Sequence, residues 1–309
     1  MAELVYPFLN GRLKGVQIKA NAFDSYFAEP KLLGTAGLHQ ILDQGKLVAK
    51  TLSQTLAAGG SAIFPHTYIS SCGYQIAAAV HACLDCGADQ VITLGTLHPL
   101  NEKMLLARTK ELNGYDISDD SSWGILGPES SRDPCWMQEF SLSHFKTLWN
   151  AEVKRRGCKP PKVREFYPHL TNRDPEKLPG MKELQAIAKD SVIVATDDMC
   201  HHGIAYGVNF EDVLEIGDKG YDFAHKIIQE GFTHLKSGNF AKYFDHWMNP
   251  LAIGDPTDCA TVLRYLLGDV SYHLLDVKLV DVTELFEENT HPSWVAASLV
   301  EISRNSQRL

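Results

Sequence analysis

The chain has 309 residues, 38 acidic and 29 basic, for a formal net charge of −9, and that length suffices for one large α/β domain with a full core. The acidic balance with scattered Lys and Arg argues against a nucleic-acid groove, and no run of about 20 apolar residues is present to span a membrane. The start "MAELVYPFLNGRLKG" lacks the features of a signal peptide and the seven cysteines read as reduced thiols, so a soluble, cytoplasmic protein is expected.

In chain order, a helical pattern over 37–57 leads into the apolar run "SAIFP" (61–65), a strand that ends at His66. A helix over 74–86 follows, with Cys83 and Cys86 spaced C-x-x-C near its end. "QVITLG" (90–95) is the next strand and is followed by His98, with Gly95 marking a close approach of backbone to something. The stretch 113–136 is polar and rich in Gly and Pro, so no regular structure is expected there, and loops of that length are often functional. "KVREFYP" (162–168) and "SVIVA" (191–195) read as strands around a helix over 176–189. Helices are expected over 218–235, 238–250 and 258–267, the middle one packing its aromatics inward, and "DVKLVDVTEL" (276–285) is the last strand. This alternation implies βα units: a single α/β domain over 1–309 with a central, largely parallel or mixed sheet and helices on both faces. No repeat, low-complexity tract or linker divides it.

Ligands of such sheets sit beyond the carboxyl ends of the strands. Three strands deliver a histidine to that edge: His66, His98 and, through "TDDMC", His201. His201 and His202 are neighbours whose side chains diverge, so at most one faces the site. Asp197 or Asp198 has the alternative role of a helix cap, and Cys200 that of a packing residue. Cys83, Cys86 and His81, far from a helix start, read as structural, and His246 as surface or helix-terminal. Cys259 follows the turn residues Gly254 and Pro256 and a cap at Thr257 or Asp258. In the first turn of a helix its thiol pKa would be lowered by the helix dipole, readying it as nucleophile or ligand, unless it is simply a small apolar residue.

Five stretches in order, "PHTYISSCG" (65–73), "LGTLHP" (94–99), "EFSLSHF" (139–145), "TDDMCHHG" (196–203) and "TDCA" (257–260), resemble the motifs of the Memo family, relatives of the class III extradiol ring-cleaving dioxygenases. The resemblance runs over 61–267, roughly two thirds of the chain. Departures from the family pattern fall at Tyr68, Ile69, Ser71, Pro99, Phe140, Leu142, Ser143 and Ala260. It implies three metal ligands, His66, His98 and Cys259, with Asp198 and His201 beside the ion as the catalytic pair, His201 as acid/base and Asp198 orienting its ring. It further implies non-haem Fe(II) before Cu, Zn being less favoured, and a metal-dependent oxygenase or redox enzyme acting on a small aromatic or phenolic molecule with O₂. Two alternatives stand beside it: a non-catalytic scaffold that binds a peptide or ligand in the same pocket, and a metal-dependent hydrolase with His201 as base.

Overall fold

In the computed structural model, residues 22–98, 102–127, 139–171, 173–249, 251–255, 257–286 and 292–305 are described. Their elements in chain order begin with α1 (Ala22–Ala57), β1 (Ser61–Phe64), α2 (Ile69–Asp85), β2 (Gln90–Leu94), α3 (Glu102–Leu112) and β3 (Gly124–Leu126). Next come α4 (Ser143–Arg156), β4 (Lys162–His169), α5 (Met181–Ala188), β5 (Val192–Thr196) and β6 (His201–Gly203). The chain closes with α6 (Asp218–Lys236), α7 (Phe240–Trp247), α8 (Cys259–Leu267), β7 (Val270–Asp281) and β8 (Ser293–Arg304). The strands form one eight-stranded mixed sheet in the order β3-β4-β2-β5-β1-β8-β6, with β7 also paired to β8. β4, β2, β5 and β1 are mutually parallel, while β3, β6, β7 and β8 run antiparallel to their partners.

Alternation along the central strands builds a core on each face of the sheet. Ala62, Phe64, Val91, Val192 and Val194 join one cluster with Leu42, Ile76 and Phe145 from α1, α2 and α4. Their neighbours Ile63, Ile92, Leu94, Ile193 and Ala195 join a second, with Ile228, Tyr243, Trp247 and Leu263 from α6, α7 and α8. The fold is therefore α/β, with a mixed sheet between helical layers, and no helix among the described residues is long and apolar enough to cross a membrane.

Each expected strand is present, though the one expected over 276–285 is the second half of β7 followed by a short 3₁₀ turn at Thr283–Leu285. α1 starts at Ala22 rather than residue 37 and is interrupted at Gly34, whose φ of 60° and ψ of −174° are not helical. The helix expected over 176–189 is split into a 3₁₀ turn at Pro175–Lys177 and α5. β3 breaks the expected irregularity of 113–136, because its three residues find a partner in β4, and 128–136 lies outside the described residues. Gly95 does meet a close neighbour: a Cβ there would collide with the ring of Tyr167 on the adjacent strand.

Candidate metal centre

β2, β5 and β1 lie side by side with their carboxyl ends level: Thr196 is opposite Phe64, and Ala195 opposite Leu94. Whatever follows each strand therefore meets at one edge. Asp197 N–H donates to Phe64 O (3.0 Å) and His66 N–H to Asp198 Oδ1 (3.0 Å), which fastens the β1 and β5 exits together. The chain then turns into β6, where Gly203 at φ 119° lies so close to Pro292 O and Ser293 that a Cβ would approach them to 2.6 Å. His201 N–H donates to Ile253 O (2.6 Å) and Asp255 N–H to Asp198 O (3.2 Å), so the loop before α8 is laid across the same edge. Asp255 is thereby carried in among the histidines.

Hydrogen bonds fix the tautomer of each imidazole. Thr196 Oγ1 gives its proton to Phe64 O (2.9 Å), so His66 Nδ1–H, 3.3 Å away, donates to it. His98 Nδ1 lies 3.3 Å from both oxygens of Glu139, and a carboxylate only accepts. His201 Nδ1–H donates to Ile253 O at 3.1 Å. His66 and His201 thus hold their Nδ1 protons outward with Nε2 toward the interior, and His98 holds its Nδ1 proton toward Glu139. His66 Nε2 is 3.5 Å from Asp198 Oδ2 and 3.4 Å from Asp255 Oδ2, and His201 Nε2 is 3.6 Å from Asp255 Oδ2. Neutral imidazole lone pairs facing buried carboxylates require a positive charge between them, either a proton or a cation.

The electrostatics agree. Burial alone would lower the His66 pKa, but the Asp198 and Asp255 carboxylates outweigh it and hold the ring up at about 9. Burial would raise Asp255, and His201 and His66 outweigh it, bringing the carboxyl down to about 2. Glu139, buried under His98, is likewise lowered by that histidine against the cost of its burial. It also accepts from His98 N–H (2.9 Å) and Ser141 N–H (2.7 Å), so its orientation is fixed.

A small cavity of about 40 Å³ opens onto these groups. His66, His98, Asp198, His201 and Asp255 form its polar wall, and Tyr26, Phe140, Tyr206 and Val295 are among the apolar residues facing them. Phe140 stacks on His98 with ring centroids 4.3 Å apart, and Tyr26 hydroxyl donates to His66 O at 2.7 Å.

Four of the five residues singled out from the sequence, His66, His98, Asp198 and His201, meet here. Cys259 does not join them: its Sγ is 4.0 Å from Thr96 Oγ1 and the side chain is packed in the core that contains Ile92 and Leu263. Burial first, then the nearby Asp197 and Asp258, push its thiol well above the ordinary range, the reverse of the expected lowering at a helix start. Asp258 makes no side-chain cap to α8 and instead accepts from Arg108 Nη2 (2.7 Å), Thr171 N–H (3.0 Å) and Leu170 N–H (3.3 Å). Besides Asp198, the carboxylate that faces the histidines is Asp255, which the sequence offered only as part of the turn "GDPTD". His202 points away, donating from Nδ1 to Leu251 O (2.8 Å) and accepting from Leu214 N–H (2.8 Å). Cys200 is packed in the core, and Asp197, fully buried with Oδ1 2.9 Å from Thr96 Oγ1, is raised by desolvation. His81 bridges to Leu42 O (2.8 Å) and Arg156, Cys83 and Cys86 are free thiols, and His246 is partly buried, its Nε2 donating to Ile227 O (2.9 Å).

Two imidazoles and one carboxylate, His66, His98 and Asp255, offer one ligand atom each within 4.8 Å of one another, all buried. That donor set suits a divalent first-row ion with coordination positions left open. No protein-family model matches the chain, and no curated protein matches it either.

Proposed function

We propose that the chain is a metal-dependent enzyme of the oxygenase or redox type, of the kind its resemblance to the Memo family and the extradiol dioxygenases implies, with His66, His98 and Asp255 as ligands. The observation that carries this reading is the convergence of buried Nε2 lone pairs on Asp255 at the wall of a cavity. The set is the two-histidine, one-carboxylate face used by non-haem Fe(II) oxygenases, and a carboxylate as its third donor, with no sulfur in the set among the described residues, disfavours Cu(I). When bound, such an ion supplies a redox-active Lewis acid with positions open to substrate and O₂.

The remaining work falls to the chain. Glu139 holds His98 in its Nδ1–H form, and Thr196 does the same for His66, so both present a basic Nε2 without reorganisation. Phe140, Tyr26 and Tyr206 exclude water and offer flat faces to a small phenolic substrate. His201, with Nε2 directed into the cavity, takes the proton that a phenol loses on binding, and Asp198 and Asp255 stabilise the imidazolium that results.

Anaerobic reconstitution of the metal-stripped protein with Fe(II), followed by O₂-consumption assays on a panel of phenols and catechols, tests the reading. Uptake of iron with phenol-dependent O₂ consumption supports it. Turnover indifferent to O₂ in a zinc-loaded protein would favour the hydrolase instead, and absence of bound metal would remove both.

A further inference from the structure

The donors at the cavity fall into two sets rather than one. His66, His98 and Asp255 form the first, and Asp198, His201 and Asp255 the second, each with its ligand atoms within 4.8 Å of one another. The two sets share Asp255 and adjoin where Asp198 Oδ2 lies 3.5 Å from His66 Nε2, so together they offer five donor residues, more than the three of either set. We propose that the cavity holds a second divalent cation on Asp198, His201 and Asp255, with Asp255 bridging it to the ion on His66 and His98.

Some features of the second set are its own and others tie it to the first. His201 Nδ1–H is committed to Ile253 O, so the Nε2 that faces Asp255 at 3.6 Å is a lone pair directed at an anion. Asp198 uses Oδ1 for His66 N–H, leaving Oδ2 toward the interior. Asp255 Oδ2 lies between the two histidines, 3.4 Å from one and 3.6 Å from the other, and a carboxylate has lone pairs enough for two ions. No Lys or Arg is found among the described residues lining the cavity, so only its histidines face the charge of Asp198 and Asp255 there. One cavity touches both sets, as a substrate oxygen shared by a pair of ions requires. With two carboxylates and one imidazole the second position is harder than the first, suited to Mn(II), Fe(II) or Zn(II) and not to Cu(I). Occupying it takes Nε2 of His201 out of proton transfer, so the one-ion and two-ion forms differ in chemistry.

This inference rests on the first ion binding as proposed above, and ion counting separates the two. The metal-stripped full chain is titrated anaerobically with Mn(II) by calorimetry, with electron paramagnetic resonance on the loaded sample. The expected result is two ions per chain with the signature of a spin-coupled pair, falling to one uncoupled ion in both His201→Ala and Asp198→Asn. Circular dichroism establishes that each variant is folded, and His201→Gln replaces either one that is not. One ion per wild-type chain, or two ions persisting in His201→Ala, overturns the second position while leaving the first intact. No bound ion at all overturns both.

Discussion

Asp255 sits 3.4 Å from His66 Nε2 and 3.6 Å from His201 Nε2, so one carboxylate oxygen joins the two rings at the edge. Glu139 acts one step out, through the His98 ring. Replacing it by Gln keeps an acceptor but removes the charge that makes His98 a stronger ligand, so metal affinity is expected to fall roughly 10- to 100-fold with the fold intact. Competition against a chromophoric chelator measures this, and an unchanged affinity would remove Glu139 from that role. The adjacent histidines provide a contrast. His202 stacks on Trp294 at 4.8 Å and makes two backbone hydrogen bonds, so His202→Ala should cost about 2 kcal/mol of stability while leaving metal content unchanged. Loss of metal with stability preserved would reverse the two assignments.

Between elements, the closest constraint near the site is Gly95, where β2 leaves the sheet against Tyr167 of β4. A methyl group there has no room beside the ring, which is itself buried, so Gly95→Ala should destabilise the protein by about 1 to 3 kcal/mol in urea unfolding. An unaltered midpoint would show that the ring yields freely. The same strands explain what the sequence made legible. β1, β2 and β5 are short apolar runs bounded by Gly or Pro signals and helices, and their shared direction brought His66, His98 and His201 together before any contact was known. β8 escaped notice because it is buried on both faces over most of its length and carries Ala296, Ala297 and Ser298 where β-branched residues would mark a strand. Asp255 escaped for a different reason. Its neighbours Gly254 and Pro256 give a sufficient local account of an acid in a turn, whereas its approach to His66 depends on the Asp255 N–H to Asp198 O bond between distant segments. Cys259 was the converse case: position at a helix start suggested a reactive thiol, and the surrounding core decided otherwise.

Across the whole molecule the buried histidines set how stability depends on pH in the metal-free state. His66 is raised to about 9, so its contribution is complete below 6.5 and is lost as pH climbs through 9. His144 and His169 are both held down at about 3, chiefly by burial, so below 6.5 the unfolded chain takes up protons that the folded chain refuses and stability falls. Asp255, lowered to about 2, keeps its contribution above 3.8 and loses it only toward 2. Metal-stripped protein should therefore be most stable near pH 6.5, declining on the alkaline side by roughly 1 kcal/mol per pH unit and more steeply on the acid side, where the lowered His81, His144, His169, His202 and His246 outnumber the raised Asp197 and Glu111. Urea midpoints from pH 5 to 9 check this, and a maximum above pH 8 would contradict the His66 assignment. A bound ion replaces the proton on His66, so the alkaline decline should vanish in metal-loaded protein.

The choice of third ligand separates Asp255 from Cys259 most directly. Metal content per chain is measured after anaerobic Fe(II) reconstitution and desalting for wild type, Asp255→Asn and Cys259→Ala, each shown to be folded. The geometry predicts bound iron in wild type and in Cys259→Ala, and its loss in Asp255→Asn. Iron retained by Asp255→Asn and lost from Cys259→Ala would contradict it.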